Sequence, residues 1–319
     1  MPSFDLGKMI KRLRKQKGIS QEELAFPIID RTTLSKIESG KAMPHRKTLE
    51  FLLDRLGYDS NEFVSHFLAP EDVEVQSAID ELNNLLRTVV RKANTEAKQK
   101  MCVKVDALIN RLEQNKVFIQ HPLNMQFLLD VKARHAYNLQ QDKKAAEYAR
   151  QALKIVIPHF DEQNIPDYYL NKQCNNMLVL LAMIYAEEGR YDNAINILYG
   201  LLENIKITYN DINIQAKLII STSNNLARIL LQANRPQEAF DISEAAIQIC
   251  IQYNNEALFY KSLCWFQARA LLAQGKTEAF IEMSRKLYCA YDVYRQEWTK
   301  NHIRETVLEA TGVDIAHNC

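Results

Sequence analysis

Glycine and proline are both scarce, with 8 of each among 319 residues, about half the usual share or less. A chain so poor in turn formers is not a β-sandwich, a collagen or a Pro/Gly-rich disordered polymer. Neither charge dominates: 40 lysines and arginines face 39 aspartates and glutamates. That excludes an acidic tail or a bulk polycation. No apolar stretch reaches roughly 18 residues without a charged or strongly polar break, so no membrane span is expected. The basic start, MPSFDLGKMIKRLRKQK, lacks the apolar run of a signal peptide, and a cytoplasmic location is expected. The six cysteines include no C-x-x-C pair and mostly fall in apolar helical patterns. They read as small buried hydrophobes in a reducing compartment.

Catalytic motifs are missing as well. There is no P-loop, no dinucleotide glycine motif, no H-E-x-x-H and no G-x-S-x-G. The seven histidines are scattered, and His135 and His159 have no acidic or cysteine partner at ligand spacing. No enzyme activity, metal or cofactor is expected.

What is present is a helical vocabulary. Leucine, isoleucine, alanine, lysine, glutamate and glutamine are common, and 47% of residues are hydrophobic. An all-α protein follows. Its length exceeds what one core usually serves, so several domains or a repeat array are expected. Charge is uneven along the chain. Residues 1–68 hold 12 basic and 9 acidic side chains, and six cations crowd residues 8–17 without an anion. Only that basic N-terminal module is suited to a polyanion.

The module reads as five short helices. Leu6, Ile10 and Leu13 share one face of the first, and Gly18 stops it. Ser20-Gln21-Glu22-Glu23 is a capping box for the second, which Pro27 ends. Asp30 caps the third, Arg31 to Ser39, with Gly40 as its stop. Pro44 opens the fourth, with Leu49, Leu52, Leu53 and Leu56 as its stripe and Gly57 as its end. Ser60 caps a fifth carrying Phe63, Val64 and Phe67.

These residues carry a family pattern. Leu6-Gly7, Ile10, Leu13-Arg14, Gly18-Ile19-Ser20-Gln21-Glu22-Glu23-Leu24-Ala25, Leu34-Ser35-Lys36-Ile37-Glu38-Ser39-Gly40, Pro44 and Thr48-Leu49 resemble the Xre/Cro-type helix-turn-helix. The turn departs from it: Phe26-Pro27-Ile28-Ile29-Asp30 is one residue shorter and lacks the usual glycine. The third helix is expected in the major groove, with Arg31, Thr32, Thr33 and Lys36 at base edges. Gln21 at a helix start, and His45 and Arg46 at the next, are candidates for phosphate.

Residues 69–116 read as a helical linker with stripes Ile79, Leu82, Leu85, Leu86, Val89 and Val103, Val105, Leu108, Ile109, Leu112, separated by a polar segment over 91–100. Dimer contacts are expected there from architecture. Beyond it a pattern repeats. Ala146, Ala194, Ala239 and Ala279 follow four turns and lie 48, 45 and 40 residues apart. Each turn joins two apolar helices, with Gly or Asn where left-handed backbone is useful. This resembles tetratricopeptide (TPR) repeats, with longer helices or loops than the nominal unit of about 34 residues. HEAT-like pairs are the alternative. The third segment, 117–319, is thus a TPR-like superhelix expected to bind peptide and to dimerise.

Such an array presents an extended binding face. On the first helices of the pairs, polar residues interrupt the apolar pattern: Arg134; Asn171, Asn175 and Asn176; Lys217, Ser221, Asn224, Asn225 and Arg228; Trp265 and Arg269. An asparagine amide both donates and accepts, so it suits the backbone of an extended peptide, while Arg or Lys suits a carboxylate. Each of these side chains equally suits a bond between helices or a solvated face, and Trp265 suits the core.

An Xre-type module joined to a helical body of this length resembles the RNPP family of peptide-responsive regulators, the PlcR- and PrgX-like receptors. The resemblance implies a homodimer, a double-stranded DNA operator and a short signalling peptide (quorum sensing) that changes operator binding allosterically. It implies Asn176 and Asn225 as clamps on the peptide backbone. The alternative is a helix-turn-helix repressor controlled by a protein partner on the TPR-like domain. A phosphatase-type scaffold has a similar body but no need of a base-reading helix.

Overall fold

The computed structural model describes residues 6–58, 72–88, 96–209, 211–253, 259–293 and 297–318. Among them helices are the only regular structure, and no strand occurs. The fifth helix expected after Ser60 lies outside the described residues, as do Val89 and residues 91–95 of the polar segment 91–100. The chain divides into two compact units. The first holds residues 1–184 and 203–214, the second 185–202 and 215–319.

In the first unit, α1 (Leu6–Gln16), α2 (Gln21–Ala25), α3 (Arg31–Glu38) and α4 (Arg46–Leu56) form the N-terminal module. Their limits follow the expected caps. The Ser20 hydroxyl accepts the Glu23 amide at 3.1 Å, and the Glu23 carboxylate accepts the Ser20 amide at 2.6 Å. Asp30 accepts the Thr33 amide at 2.8 Å. Gly18, Gly40 and Gly57 all take positive φ, the left-handed stops a helix end favours. Leu6, Ile10, Leu13, Leu24, Leu34, Ile37, Leu49, Leu52, Leu53 and Leu56 are buried. At Gly7 the packing is closest. A Cβ there would sit 2.2 Å from the Ile37 carbonyl oxygen of α3.

Next come α5 (Asp72–Thr88), α6 (Glu96–Gln114), α7 (Lys116–Gln120), α8 (Pro122–Asn138) and α9 (Asp142–Val156). Ala78, Ile79 and Leu82 of α5, Val105, Ile109 and Leu112 of α6, Phe118 of α7 and Phe127, Leu128 and Val131 of α8 share one apolar cluster. The segment read as a linker therefore shares its core with the first helix of the array. A spacing argument misses this, since each stripe is legible alone but its partner is not.

α10 (Lys172–Glu187) and α11 (Tyr191–Thr208) follow a short 3-10 turn at Ile165–Asp167. Then come α12 (Ile212–Gln232), α13 (Pro236–Gln252), α14 (Tyr260–Ala273), α15 (Thr277–Val293) and α16 (Glu297–Thr311). The second unit is built on an apolar cluster that includes Ile220, Ala246, Cys250, Leu263, Ala268, Phe280, Leu287, Ile303 and Val307.

The four repeat turns each contain one left-handed residue: Gln140, Gly189, Asn234 and Gly275. Five positions on from each lies a fully buried side chain, Ala145, Ala194, Ala239 and Phe280. Two of the four expected anchors are thus displaced by one residue. Ala279 is exposed, and Phe280 takes the inner position. The first turn uses Gln140 where glycine or asparagine was expected.

Cys102, Cys174, Cys250 and Cys264 are free and buried, as expected of small hydrophobes. Cys289 departs from that reading, because it is disulfide-bonded. No described helix is long and apolar enough to cross a membrane.

Candidate DNA-reading and ligand-binding sites

α3 lies against α1 and α2, and a buried polar network fixes it. Arg14 of α1 grips Glu38 of α3 with both ends of its guanidinium, Nε to Oε1 at 2.6 Å and Nη2 to Oε2 at 3.0 Å. Gln21 of α2 donates to the same carboxylate at 2.8 Å. Burial pushes the Glu38 carboxyl up, but the bonds from Arg14 and Gln21 outweigh it, and the group stays below the usual carboxylate range. One carboxylate thus joins three helices, and the paired geometry gives α3 one orientation.

The opposite face of α3 is open. Arg31, Thr32, Ser35 and Lys36 are exposed. Arg31, Thr32 and Lys36 make no side-chain hydrogen bond among the described residues. Thr32 and Lys36, four apart, share a helix face, and Arg31 lies beside Thr32 in the first turn. Thr33 differs: its hydroxyl donates to Asp30 at 2.8 Å, so it serves the cap. Bonds from the Thr33 amide and hydroxyl hold the Asp30 carboxyl below its usual range.

Gln21 is tethered to Glu38 rather than extended into solvent. Arg46 bonds Glu50 at 2.9 Å, as Lys47 does at 2.8 Å. His45 caps α4 by accepting the Lys47 amide at 3.4 Å. Its ring stacks on His121, with centroids 4.8 Å apart. His121 caps α8 in the same way, accepting the Leu123 amide at 3.3 Å, and its Nε2 lies 3.2 Å from the Thr48 hydroxyl. Burial, with the nearby charges of His45 and Lys47, pushes the His121 imidazole down to about 4. On the outer face of α1, Lys8, Lys11, Arg12 and Lys15 line a shallow open groove of about 450 Å³. They add a positive field to the module.

In the body the expected polar residues fall into three groups. Some are committed to structure. Arg134 forms a two-pronged pair with buried Asp130, both bonds 3.0 Å, and reaches Asn83 at 3.2 Å. Asn171 exchanges bonds with Gln126 and accepts the Cys174 amide at 2.9 Å, capping α10. Others are half-committed. Asn175 donates to the Tyr209 hydroxyl at 3.0 Å while its buried carbonyl oxygen has no partner. Ser221 bonds the Leu218 carbonyl, Asn225 the Ser221 carbonyl, and Asn224 accepts the Ser262 hydroxyl at 2.6 Å. Trp265 packs at the edge of the second unit's cluster, its ring 6.3 Å from that of Phe280. Arg228 is half-buried, and it too has interactions of its own. The rest, Asn176, Lys217 and Arg269, are exposed.

The sequence reading missed several polar residues. Arg55 is 4% exposed and sends Nη1 to the carbonyls of Glu23 and Leu24, at 2.8 and 3.3 Å, and of Phe26. His135 has a partner after all, Asp106 at 3.1 Å, supplied by α6 rather than by sequence spacing. Still, no group of three metal-ligating side chains occurs among the described residues. An arginine inside a leucine stripe was the one available signal for Arg55.

Comparison with known proteins bears on the fold. A sequence profile described as helix-turn-helix matches residues 10–63. No curated protein sequence matches the chain. Among solved structures, Bacillus thuringiensis PlcR in complex with the peptide PapR7 and DNA is similar at a TM-score of 0.56 and 19% identity. The match covers 94% of this chain and 98% of that one. PlcR in its apo form gives 0.53 at 20% identity, over 93% and 97%. These likenesses establish the fold. Residues 10–63 match a helix-turn-helix domain, and nearly the whole chain shares the fold of PlcR.

Proposed function

We propose that the protein is a cytoplasmic transcription regulator, acting as a homodimer, whose helical body takes a short extended signalling peptide and thereby changes operator binding. The observation that carries the DNA half is the open face of α3. The side chains of Arg31, Thr32 and Lys36 make no hydrogen bond among the described residues, on a helix that Glu38, Arg14 and Gln21 hold from behind. Arg31 suits guanine O6 and N7, and the Thr32 methyl suits thymine. Lys36 extends the same face toward the duplex.

The peptide half rests on two supports. Half-committed amides, Asn175 in the first unit and Asn224 and Asn225 in the second, keep hydrogen-bonding capacity on otherwise apolar helices. The second support is that PlcR, whose fold the chain shares, has been seen with both a peptide and DNA.

The test is selection from a random duplex pool, followed by binding of wild type and Arg31→Glu. The charge reversal should abolish selected-site binding, and wild-type affinity should fall steeply with salt because phosphate contacts release counterions. Unchanged binding by Arg31→Glu sinks the assignment of α3. For the body, a library of short peptides is screened by thermal shift. A stabilisation that Asn225→Ala removes supports the peptide reading. Co-purification of a folded protein partner without any peptide shift replaces it.

A further inference from the structure

The C-terminal end of α4 is woven into the part of the body that carries Asn175. Asp54 accepts the amide of Lys172, the first residue of α10, at 3.4 Å. The Gly57 carbonyl accepts the Asp211 amide at 3.4 Å. Lys17 donates both to the Arg55 carbonyl at 3.3 Å and to the Thr208 carbonyl at the end of α11. The Arg55 guanidinium lies over the rings of Phe51, at 4.4 Å, and Tyr169, at 5.6 Å.

Two continuous routes result. Arg55 holds the carbonyls at the end of α2, whose Gln21 bonds Glu38 of α3, and rests on Tyr169, two residues ahead of the cap Asn171. Lys17 holds Thr208, whose neighbour Tyr209 accepts the bond from Asn175. Asn204 stiffens this corner by donating to the carbonyls of Ile165, Pro166 and Tyr168. A buried guanidinium bonded only to carbonyls tolerates little displacement, since parting it from them leaves a desolvated cation uncompensated. Parting this corner is therefore costly.

We infer that the end of α4, through Asp54, Lys17 and Arg55, mechanically couples the DNA-reading helix to the first turn of α10. A group that bonds the unpartnered Asn175 carbonyl oxygen pulls on Tyr209 and α10, and α4 follows. By linkage, duplex on α3 is felt at α10. The burial that pushes Lys17 down to about 8 fits a side chain enclosed between the end of α4 and the end of α11.

The inference rests on the proposed reading of α3 as the DNA-contacting helix. It is tested without any peptide, by hydrogen exchange of the full-length protein, free and saturated with a duplex selected from the random pool. Exchange over residues 170–180 and 205–214 should change by about threefold or more, while the apolar cluster of α14 to α16 stays constant. In Lys17→Met, and separately in Asp54→Ala, duplex affinity should stay within about threefold and the response at α10 should vanish. Duplex bound with no change at α10 in the wild type overturns the coupling and leaves the DNA reading intact. So does a response that survives in both variants. A wild type that binds no selected duplex overturns the DNA reading, and the coupling with it.

Discussion

The N-terminal module and the second unit solve the same problem by different means. Both must hold short helices at fixed angles. The second unit does so with an apolar cluster running from Ile220 to Ile315, in which Phe280 is fully buried. The module is too small for that and adds buried ions: Arg14 with Glu38, and Arg55 on carbonyls. A small domain buries a smaller fraction of its surface, so its apolar core contributes less. A directional network also fixes one orientation, where apolar contact tolerates slippage. DNA reading needs the former, because its donors must meet fixed base edges.

That contrast can be broken in graded steps. The largest effect is expected at Glu38. Glu38→Ala leaves Arg14 buried without its partner, at a cost of about 3–5 kcal/mol. Two unfolding transitions should then appear, the first accompanied by loss of duplex binding; one unchanged transition would show that the network contributes nothing. Phe280→Leu in the second unit, which removes ring atoms from a fully buried apolar site, should cost about 1–2 kcal/mol in chemical denaturation and spare duplex binding. A cost above that of Glu38→Ala would invert the comparison.

The His45–His121 stack gives an intermediate effect with a pH signature. The folded-state value of His121, about 4, lies below its ordinary 6.5. Between those values the unfolded chain binds more protons, so stability rises with pH there and is lost as pH falls from 6.5 toward 4. After discounting for partial exposure this is about 1–2 kcal/mol. His121→Asn keeps a cap acceptor and should flatten the acid limb of stability against pH; a persistent limb would assign it to carboxylates. The smallest effect is at the first repeat turn. Gln140→Gly relieves a left-handed side chain and should change the melting point by an amount equivalent to under about 1 kcal/mol, in the stabilising direction. Destabilisation would mean that the Gln140 side chain contributes contacts of its own.

The sequence made some features legible because their causes are local. Ser20, Asp30, Gly18, Gly40 and Gly57 declare helix ends through bonds spanning at most a few residues. The exposed face of α3 could be read for the same reason. The polar residues of the body could not be sorted that way. Arg134 and Asn171 carry the same pattern as Asn176, yet only tertiary partners, Asp130 and Asn83 for one and Gln126 for the other, absorb their hydrogen bonds. The repeat anchor at Phe280 was missed because one residue separates it from an alanine that matched the motif.

By itself, then, the chain specified its helices, their caps and the chemistry of the exposed face of α3, since these depend on neighbours a few positions apart. Tertiary structure alone decided which buried polar groups are spent and which, like the Asn175 carbonyl oxygen, remain unsatisfied. It also decided that the end of α4 meets α10. Those outcomes depend on desolvation and on partners dozens of residues away, and no local periodicity encodes them.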